Sequence, residues 1–235
     1  MRRAHRAAAA TAGVERAQEP RLKPKTRRSA ARKPPAKPVA RRYKVQPPAA
    51  VALKLPIPPR SRLAPDLQKY FGACEQAFGF LPNVLAVYSF DDKKLRAFID
   101  MYNDLMLGGS RLTKLEREMI AVVVSSANRC YYCLTAHGHA LREMSGDPSL
   151  GETLAMNWRV ARVTRKQRAM LAFAHRLTVE PWSDAAEGRD ALRRAGFSDR
   201  DIWDIIAVTA FFNMTNRVAA ASDMMPNEQY LAAAR

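Results

Sequence analysis

The chain has 235 residues and a formal net charge of +17, nearly all of it carried by the first quarter. Residues 1–62 hold 18 Lys and Arg against two acidic residues, together with ten of the fifteen prolines, whereas residues 63–235 are close to neutral. No run approaches the roughly 18 apolar residues of a membrane span, so no membrane association is expected. The composition predicts a disordered basic extension over 1–62 and one folded domain over 63–235.

Three explanations of the basic extension stay open. Its Lys and Arg would bind nucleic acid or an acidic surface by releasing counterions. It is also Arg-rich and acid-poor, as transit peptides are, although it has few serines and lacks the continuous apolar core of a secretory signal. The third explanation is a solvated extension without a role, since charge runs are usually just hydrated.

The folded part has the apolar periodicity of α-helices throughout. Asp66 is expected to cap a first helix that ends at Gly79, and Pro82 to open a second. A third helix stops at Gly108 and carries one apolar stripe, formed by Leu95, Phe98, Ile99, Tyr102, Leu105 and Met106. No segment alternates as a half-buried strand does, so the fold class is predicted to be all-α.

Capping boxes, in which Ser or Thr is followed three residues later by Glu or Gln, predict helix starts at Thr113 and Thr164. Ser198 and Asp201 are expected to begin a further, long apolar helix. Segments 113–128 and 198–213 also resemble each other, since each has a capped start, an Ile-Ala-Val core and a final Asn. We interpret them as a duplicated helical hairpin in which only the first copy kept its chemistry. Chance similarity between two apolar helices is the alternative.

The most informative stretch runs from Glu118 to His137 and contains two of the three cysteines. Cys130, Cys133 and His137 follow one another at spacings of three and four, which places them on one face of a helix. His139 falls on a different side. Two thiols one turn apart can close into a disulfide, and an imidazole one turn further along can exchange a proton with them. The pattern therefore predicts thiol redox chemistry.

The position of Glu118 depends on where the chain turns. One unbroken helix would separate Glu118 from Cys130 by about 18 Å. A turn near Arg129 would instead fold the chain back and bring Glu118 against His137. Asn128 is expected to cap the new helix, so that Cys130 lies in its first turn, where free N–H groups lower a thiol pKa. We predict the order carboxylate, imidazole, thiol.

Other uses of a Cys-x-x-Cys pair fit less well. A structural zinc site needs four ligands, and only Cys74 and His139 remain as spares. Haem attachment needs His directly after the second cysteine, where Leu134 stands, and a thioredoxin fold needs strands. No metal or organic cofactor is expected. Thiols without chemistry remain an alternative for the pair, and a core thiol is the expectation for Cys74.

Several polar residues near the end of the chain are expected to serve the fold. Asn213, Asn216 and Arg217 are expected to cap helix ends, although an approach to the thiols stays open. Tyr132 is expected to pack against its neighbours.

The arrangement Glu-x11-Cys-x2-Cys-x3-His resembles the alkylhydroperoxidase D family of the carboxymuconolactone decarboxylase superfamily, and within it the peroxidase-related branch. The resemblance covers about residues 63–230 and includes the segments 78–84, 112–122, 130–142, 168–174, 192–198 and 211–217. It implies that family's helical fold and a homo-oligomer built on trimers or dimers. Tyr132 departs from the pattern, because the best-known peroxidase of the family has a histidine there.

The resemblance implies a thiol-dependent peroxidase or related disulfide oxidoreductase, acting on a hydroperoxide and restored by an external dithiol or protein reductant. The implied catalytic residues are Cys133, Cys130, His137 and Glu118. Cys133 would attack the peroxide. Cys130, which we expect to be the more exposed thiol because it starts the helix, would resolve the intermediate and receive electrons.

Two alternatives belong to other classes of function. One is a cofactor-free lyase or isomerase of the decarboxylase type, with His137 and Glu118 as acid and base, although that branch generally lacks the cysteine pair. The other is a nucleic-acid-associated protein that binds through residues 1–62. A cytoplasmic location is expected in each case.

Overall fold

Between residues 50 and 232, the part of the chain that the computed structural model describes, the structure has ten α-helices and no strand. The predicted all-α class is therefore confirmed. The helices are α1 Pro65–Phe78, α2 Asn83–Tyr88, α3 Asp92–Tyr102, α4 Lys114–Ala127, α5 Tyr131–Ser145, α6 Pro148–Asn157, α7 Arg165–Val179, α8 Ala186–Arg194, α9 Asp199–Ala221 and α10 Gln229–Ala232. A π-helical turn at Asn103–Leu107 extends α3, and single 3₁₀ turns lie at Arg60–Arg62 and Trp158–Val160.

Helix α4 lies at the centre of the domain and packs against α5, α6, α7 and α9. Its residues from Arg117 to Ser125 are all buried. A helix that is apolar on every side has to be enclosed by others, and the run Met119 to Val124 meets that condition. Glu118 immediately precedes this run, so its carboxylate is carried into the interior.

Both predicted capping boxes are present, at Thr113 with Glu116 and at Thr164 with Gln167. The predicted helix start at Ser198 is also present, and there Ser198 and Asp201 form a third box. A side-chain cap contributes about 1 kcal/mol to a helix. The boxes fix the first turns of the central helix α4 and of α7 and α9, two of the helices that pack against it.

Helices α4 and α5 form the predicted antiparallel pair, and the turn between them is centred on Arg129. Arg129 has a φ of 53°, in the left-handed region that a side chain seldom adopts. The expected role of Asn128 is wrong. Asn128 ends α4, and Cys130 itself holds the extended position directly before α5. The reason is that the Asn128 amide is engaged with α9.

Segments 113–128 and 198–213 meet at their final asparagines, because Asn128 Nδ2 donates to Asn213 Oδ1 at 3.1 Å. The chain takes a different path after each asparagine. The first segment turns back into α5, whereas α9 continues without a break to Ala221.

The folded part begins earlier than the predicted boundary at residue 63. Val51 is buried, the N–H of Ala52 donates to the carbonyl of Ser222 at 3.0 Å, and the N–H of Met225 donates to the carbonyl of Ala50 at 2.9 Å. Residues 50–62 therefore belong to the domain, because their few apolar side chains pack against its C-terminal edge. The rest of the predicted extension, residues 1–49, lies outside the described residues.

Helices α1, α2 and α3 pack around a smaller apolar cluster that includes Phe71, Leu85 and Leu95. Gly79 ends α1 with a φ of 78°, as predicted. Asp66 is not the cap of that helix. It lies in the first turn and binds Arg96 of α3. Among residues 50–232, no helix is long and apolar enough to cross a membrane.

Candidate functional site

The structure brings Glu118 and His137 into direct contact. Glu118 Oε2 lies 2.8 Å from His137 Nδ1, and both side chains are largely buried. The imidazole also stands edge-on to the ring of Phe212, with centroids 4.6 Å apart. A carboxylate on Nδ1 fixes the orientation of the ring and leaves Nε2 for proton exchange. The predicted carboxylate–imidazole contact is therefore present.

The two thiols share a hydrogen bond, which separates their pKa values. The pKa of Cys130 is lowered to about 7, because it accepts this hydrogen bond from Cys133 and because the N–H groups of Cys133 and Tyr132 and the nearby His137 favour its thiolate. The pKa of Cys133 is raised well above its usual value by the same bond and by burial. The first proton thus leaves the pair near neutral pH, and the resting thiolate lies on Cys130.

The expected exposure of Cys130 is wrong. Cys130 is 1% exposed and Cys133 is 4% exposed, so neither thiol is open to a bulky molecule. The N-terminus of α5 is covered by residues 50–55 and by the segment after α9, with Val51 and Met224 in the same apolar cluster as the thiols. Being at the start of a helix does not expose a residue when a distant segment packs over it.

Two buried side chains bind the Cys133 thiol in addition to Cys130. Asn216 of α9 and Ser125 of α4 both hydrogen-bond it, and these contacts lower its pKa against the larger raising effects. Asn216 Nδ2 also donates to Ser125 Oγ at 3.0 Å, and Asn128 Nδ2 donates to Asn216 Oδ1 at 3.0 Å. Asn216 therefore approaches the thiols, which was the less favoured of its two expected roles.

Tyr132 has a structural role. Its hydroxyl accepts a hydrogen bond from the N–H of Val84 at 3.0 Å, which ties α5 to the start of α2. Burial raises its pKa well above the usual value. The tyrosine that stands in place of a histidine therefore acts as a structural link, in agreement with the expected packing role.

A cavity of about 190 Å³ opens at the thiol pair. Cys133, His137 and Glu118 line it, whereas Cys130 is absent from the described residues that do so. Most of its wall is apolar, and much of that is aromatic, formed by Phe78, Tyr88, Phe98, Tyr102, Phe211 and Phe212. Cys133 is therefore the thiol that a bound molecule meets.

His139 lines the same cavity, although its sequence position predicted a different side of α5. Its Nε2 lies 3.5 Å from Glu143 Oε2, its ring lies 5.5 Å from that of Tyr230, and its buried Nδ1 has no hydrogen-bond partner among the described residues. The cavity reaches it because α10 and the segment before it extend the wall around α5. No local sequence signal indicates this.

Cys74 also borders the cavity and is only half-buried, so it is not the core thiol that was expected. Burial raises its pKa, and the hydroxyl of Tyr70 interacts with it. Within residues 50–232, no cluster of three His, Cys, Asp or Glu side chains is arranged to hold a metal ion.

An all-α domain with a buried Cys-x-x-Cys pair, a carboxylate-bound imidazole and an apolar cavity defines a class of helical thiol proteins. Sequence comparison identifies the family within this class. The chain belongs to the carboxymuconolactone decarboxylase family, whose model matches residues 93–176. No curated protein is significantly similar to the chain.

Solved structures extend the likeness over the whole domain. An uncharacterized peroxidase-related protein from Silicibacter sp. TM1040 is 55% identical, with a TM-score of 0.78 over 82% of this chain and 100% of that one. A protein from Ralstonia eutropha JMP134, described as an alkylhydroperoxidase AhpD core and an uncharacterized peroxidase-related protein, is 36% identical, with a TM-score of 0.75 over 79% of this chain and 97% of that one. The predicted alkylhydroperoxidase D-like fold is thereby confirmed.

One of the similar structures is named for an activity other than that of a peroxidase. The debrominase Bmp8, solved in complex with 2,3,4-tribromopyrrole, is 25% identical, with a TM-score of 0.63 over 72% of this chain and 89% of that one. Proteins with this fold are thus named for different activities. The function of this chain therefore has to be argued from its site.

Proposed function

We propose that the protein is a thiol-dependent peroxidase that reduces hydroperoxides through Cys133 and Cys130. The observation that carries this proposal is the hydrogen-bonded Glu118–His137 pair, which lines one cavity together with Cys133, the partner of the Cys130 thiol. Of the two electron donors expected from the sequence, a small external dithiol fits better than a protein reductant, because neither thiol is open to a bulky molecule. A trimer- or dimer-based homo-oligomer is the expected assembly.

The first step uses the thiol that meets the substrate. Cys133 passes its proton to Cys130 along their shared hydrogen bond, and its thiolate is held by Asn216 and Ser125. The thiolate attacks the outer oxygen of the hydroperoxide and the O–O bond breaks. The departing alkoxide takes a proton from His137, whose charge is balanced by Glu118. Cys133 becomes a sulfenic acid and the peroxide becomes an alcohol.

The second step closes the pair. The Cys130 sulfur attacks the sulfenic sulfur of Cys133 and displaces hydroxide, which combines with the proton that Cys130 gives up, and water leaves. A disulfide remains, and an external dithiol reduces it by exchange. Over one cycle the hydroperoxide and two thiol groups of the donor become an alcohol, water and the donor's disulfide.

Trapping of sulfenic acid in each single mutant tests the assignment. Cys130→Ser should form one sulfenic acid at position 133 when treated with peroxide, because the attacking thiol remains together with Asn216 and Ser125, which hold its thiolate. Cys133→Ser should form little. The reverse pattern would exchange the two roles, and the absence of sulfenic acid from both folded variants would contradict a peroxidase.

A reductive dehalogenase is the second candidate, favoured by the aromatic cavity and by the similarity to a debrominase. The Cys133 thiolate would attack the bromine of an aryl bromide, and the aryl carbon would take the proton from His137. Cys130 would then displace bromide from the sulfenyl bromide, leaving the same disulfide. Release of bromide from bromopyrrole by the reduced protein, measured beside peroxide consumption, separates the two candidates.

The acid–base lyase alternative has weaker support. Substrates with carboxylate groups need a cation to bind them, and none of the described residues that line the cavity is Lys or Arg.

The nucleic-acid alternative depends on residues 1–62, of which 1–49 lie outside the described part of the chain. If removal of residues 1–49 abolishes binding to DNA or RNA while thiol turnover is retained, nucleic-acid binding belongs to that segment alone.

A further inference from the structure

The cavity is much larger than hydrogen peroxide requires. A water molecule occupies about 30 Å³ of the liquid, and an apolar cavity of about 150 Å³ holds one benzene molecule. The cavity beside Cys133 has about 190 Å³. Its size therefore matches one six-membered ring with a substituent.

The aromatic wall of the cavity is arranged to receive such a ring. Tyr88 and Phe98 are stacked with centroids 4.6 Å apart, and Phe211 stands edge-on to Phe212 at 5.4 Å. The wall thus already contains ring pairs of both kinds, and a bound ring would add a further pair. Ring pairs in stacked or edge-to-face geometry gain about 0.5–1.5 kcal/mol beyond the burial of their surface.

The charges around the cavity favour an uncharged ligand. Two carboxyl groups line it, Glu118 at the thiol end and Glu143 beside His139, and the described lining residues include no Lys or Arg. An anion would be desolvated there without a cationic partner, which is costly in an apolar surrounding.

Polar groups without partners show what the ligand should carry. Nδ1 of His139 is buried and has no hydrogen-bond partner within residues 50–232. Tyr88, Tyr102 and Tyr230 also line the cavity, and their hydroxyls make no hydrogen bond to the described residues. Burial raises the pKa of all three tyrosines, so their hydroxyls stay protonated and can donate. Buried polar groups are normally satisfied, by protein, water or ligand.

We propose that this cavity binds an uncharged, monocyclic aromatic compound with a hydroxyl group, and that His139 and Tyr230 bind that hydroxyl. The aromatic wall holds the ring next to Cys133. That such compounds include the substrate of the thiols rests on the function proposed above, whereas their binding does not depend on it.

Calorimetric titration of the reduced, full-length protein tests the inference with three single-ring probes: p-cresol, toluene and benzoate. We expect p-cresol to bind about tenfold more tightly than toluene, because a hydrogen bond to a buried partner is worth roughly that factor. Benzoate should not bind detectably. Absence of p-cresol binding, or equal binding of benzoate, would overturn the proposal.

Substitutions test whether His139 and Tyr230 bind the hydroxyl of the ligand. His139→Phe should abolish the preference for p-cresol over toluene, and His139→Gln should restore part of it. Tyr230→Phe removes a hydroxyl that makes no hydrogen bond in the described part of the chain, so it should fold normally and reduce the preference by several-fold. His175→Phe is the matched control, because His175 is half-buried on α7 away from the cavity. An unchanged preference in both His139→Phe and Tyr230→Phe would overturn the assignment.

Measurement of thiol turnover on the same samples keeps the two proposals apart. Binding of p-cresol by a protein that consumes neither peroxide nor aryl bromide would support the ligand class and contradict the proposed function. Turnover of peroxide without p-cresol binding would contradict the ligand class alone.

Discussion

Helix α5 carries two histidines, and each lies near a glutamate, yet their surroundings differ. His137 and Glu118 are 2.8 Å apart, and the glutamate side chain is 5% exposed. His139 and Glu143 are 3.5 Å apart, and the glutamate side chain is 57% exposed. The first pair lines the cavity together with Cys133, and the glutamate of the second pair extends toward solvent.

This comparison shows that the surroundings decide what a His–Glu pair does. A buried carboxylate is screened little by water, so Glu118 holds and orients its imidazole strongly. An exposed carboxylate at longer distance contributes little, because water screens the charge and the side chain stays mobile. We accordingly assign proton exchange to His137 and ligand binding to His139.

The largest expected effect comes from breaking the inner pair. Glu118→Gln should lower peroxide turnover at least tenfold, because general acid–base groups contribute on the order of 10²–10⁴-fold. Glu143→Gln, the same change in the outer pair, should alter turnover less than threefold. Rates measured across pH check both variants. Equal losses in the two variants would remove the distinction, and an unchanged rate in Glu118→Gln would show that this carboxylate is only structural.

The next effect concerns the side chains that hold Cys133. Asn216→Leu should lower peroxide turnover about tenfold and shift its pH dependence upward, because the Cys133 thiolate loses a hydrogen bond. Asn213→Leu is the matched control, since Asn213 bonds Asn128 and Thr178 but is not among the groups that act on Cys133. It should cost similar stability without a shift in pH dependence. An equal shift in both variants would assign Asn216 to the fold alone.

A smaller effect is expected in a pH titration of the thiols, which shows on which cysteine the resting thiolate lies. The pKa of Cys130 is lowered to about 7, so its thiolate is present above about pH 7 and is lost as the pH falls through that value. Thiolate absorbance near 240 nm should therefore rise by one equivalent around pH 7. Cys130→Ser should lose this step. Cys74 should titrate later, because burial raises its pKa. A single step above pH 9 would contradict the shared hydrogen bond.

The smallest effect is expected at the turn that joins the two helices. Arg129→Gly should change the free energy of unfolding by no more than about 1 kcal/mol, since relief of the left-handed backbone offsets the added freedom of the unfolded chain. Urea unfolding measures the change. Turnover should be unaffected, and a tenfold loss would show that the Arg129 side chain takes part in the chemistry.

The inner pair could be predicted from sequence because its determinants are local. Helical spacing placed the thiols and His137 together, and the polar turn near Arg129 brought Glu118 back to them. The capping boxes at Thr113 and Thr164 were equally local, each set by residues three apart.

The rest of the site is built by segments far along the chain. Asn216 lies 91 residues from the serine that it bonds, and Tyr230 joins the wall beside His139 from the last described helix. The burial of Cys130 under residues 50–55 was hidden for the same reason. Single-sequence patterns describe one helix at a time and carry no record of such long-range packing.

The burial of both thiols has a kinetic consequence. A disulfide between Cys130 and Cys133 would be reached through the cavity that admits the oxidising substrate, because the helix start is covered. Both half-reactions would then share one entrance. Turnover should follow a ping-pong course in which oxidant and electron donor exclude each other, so that an excess of either slows the cycle.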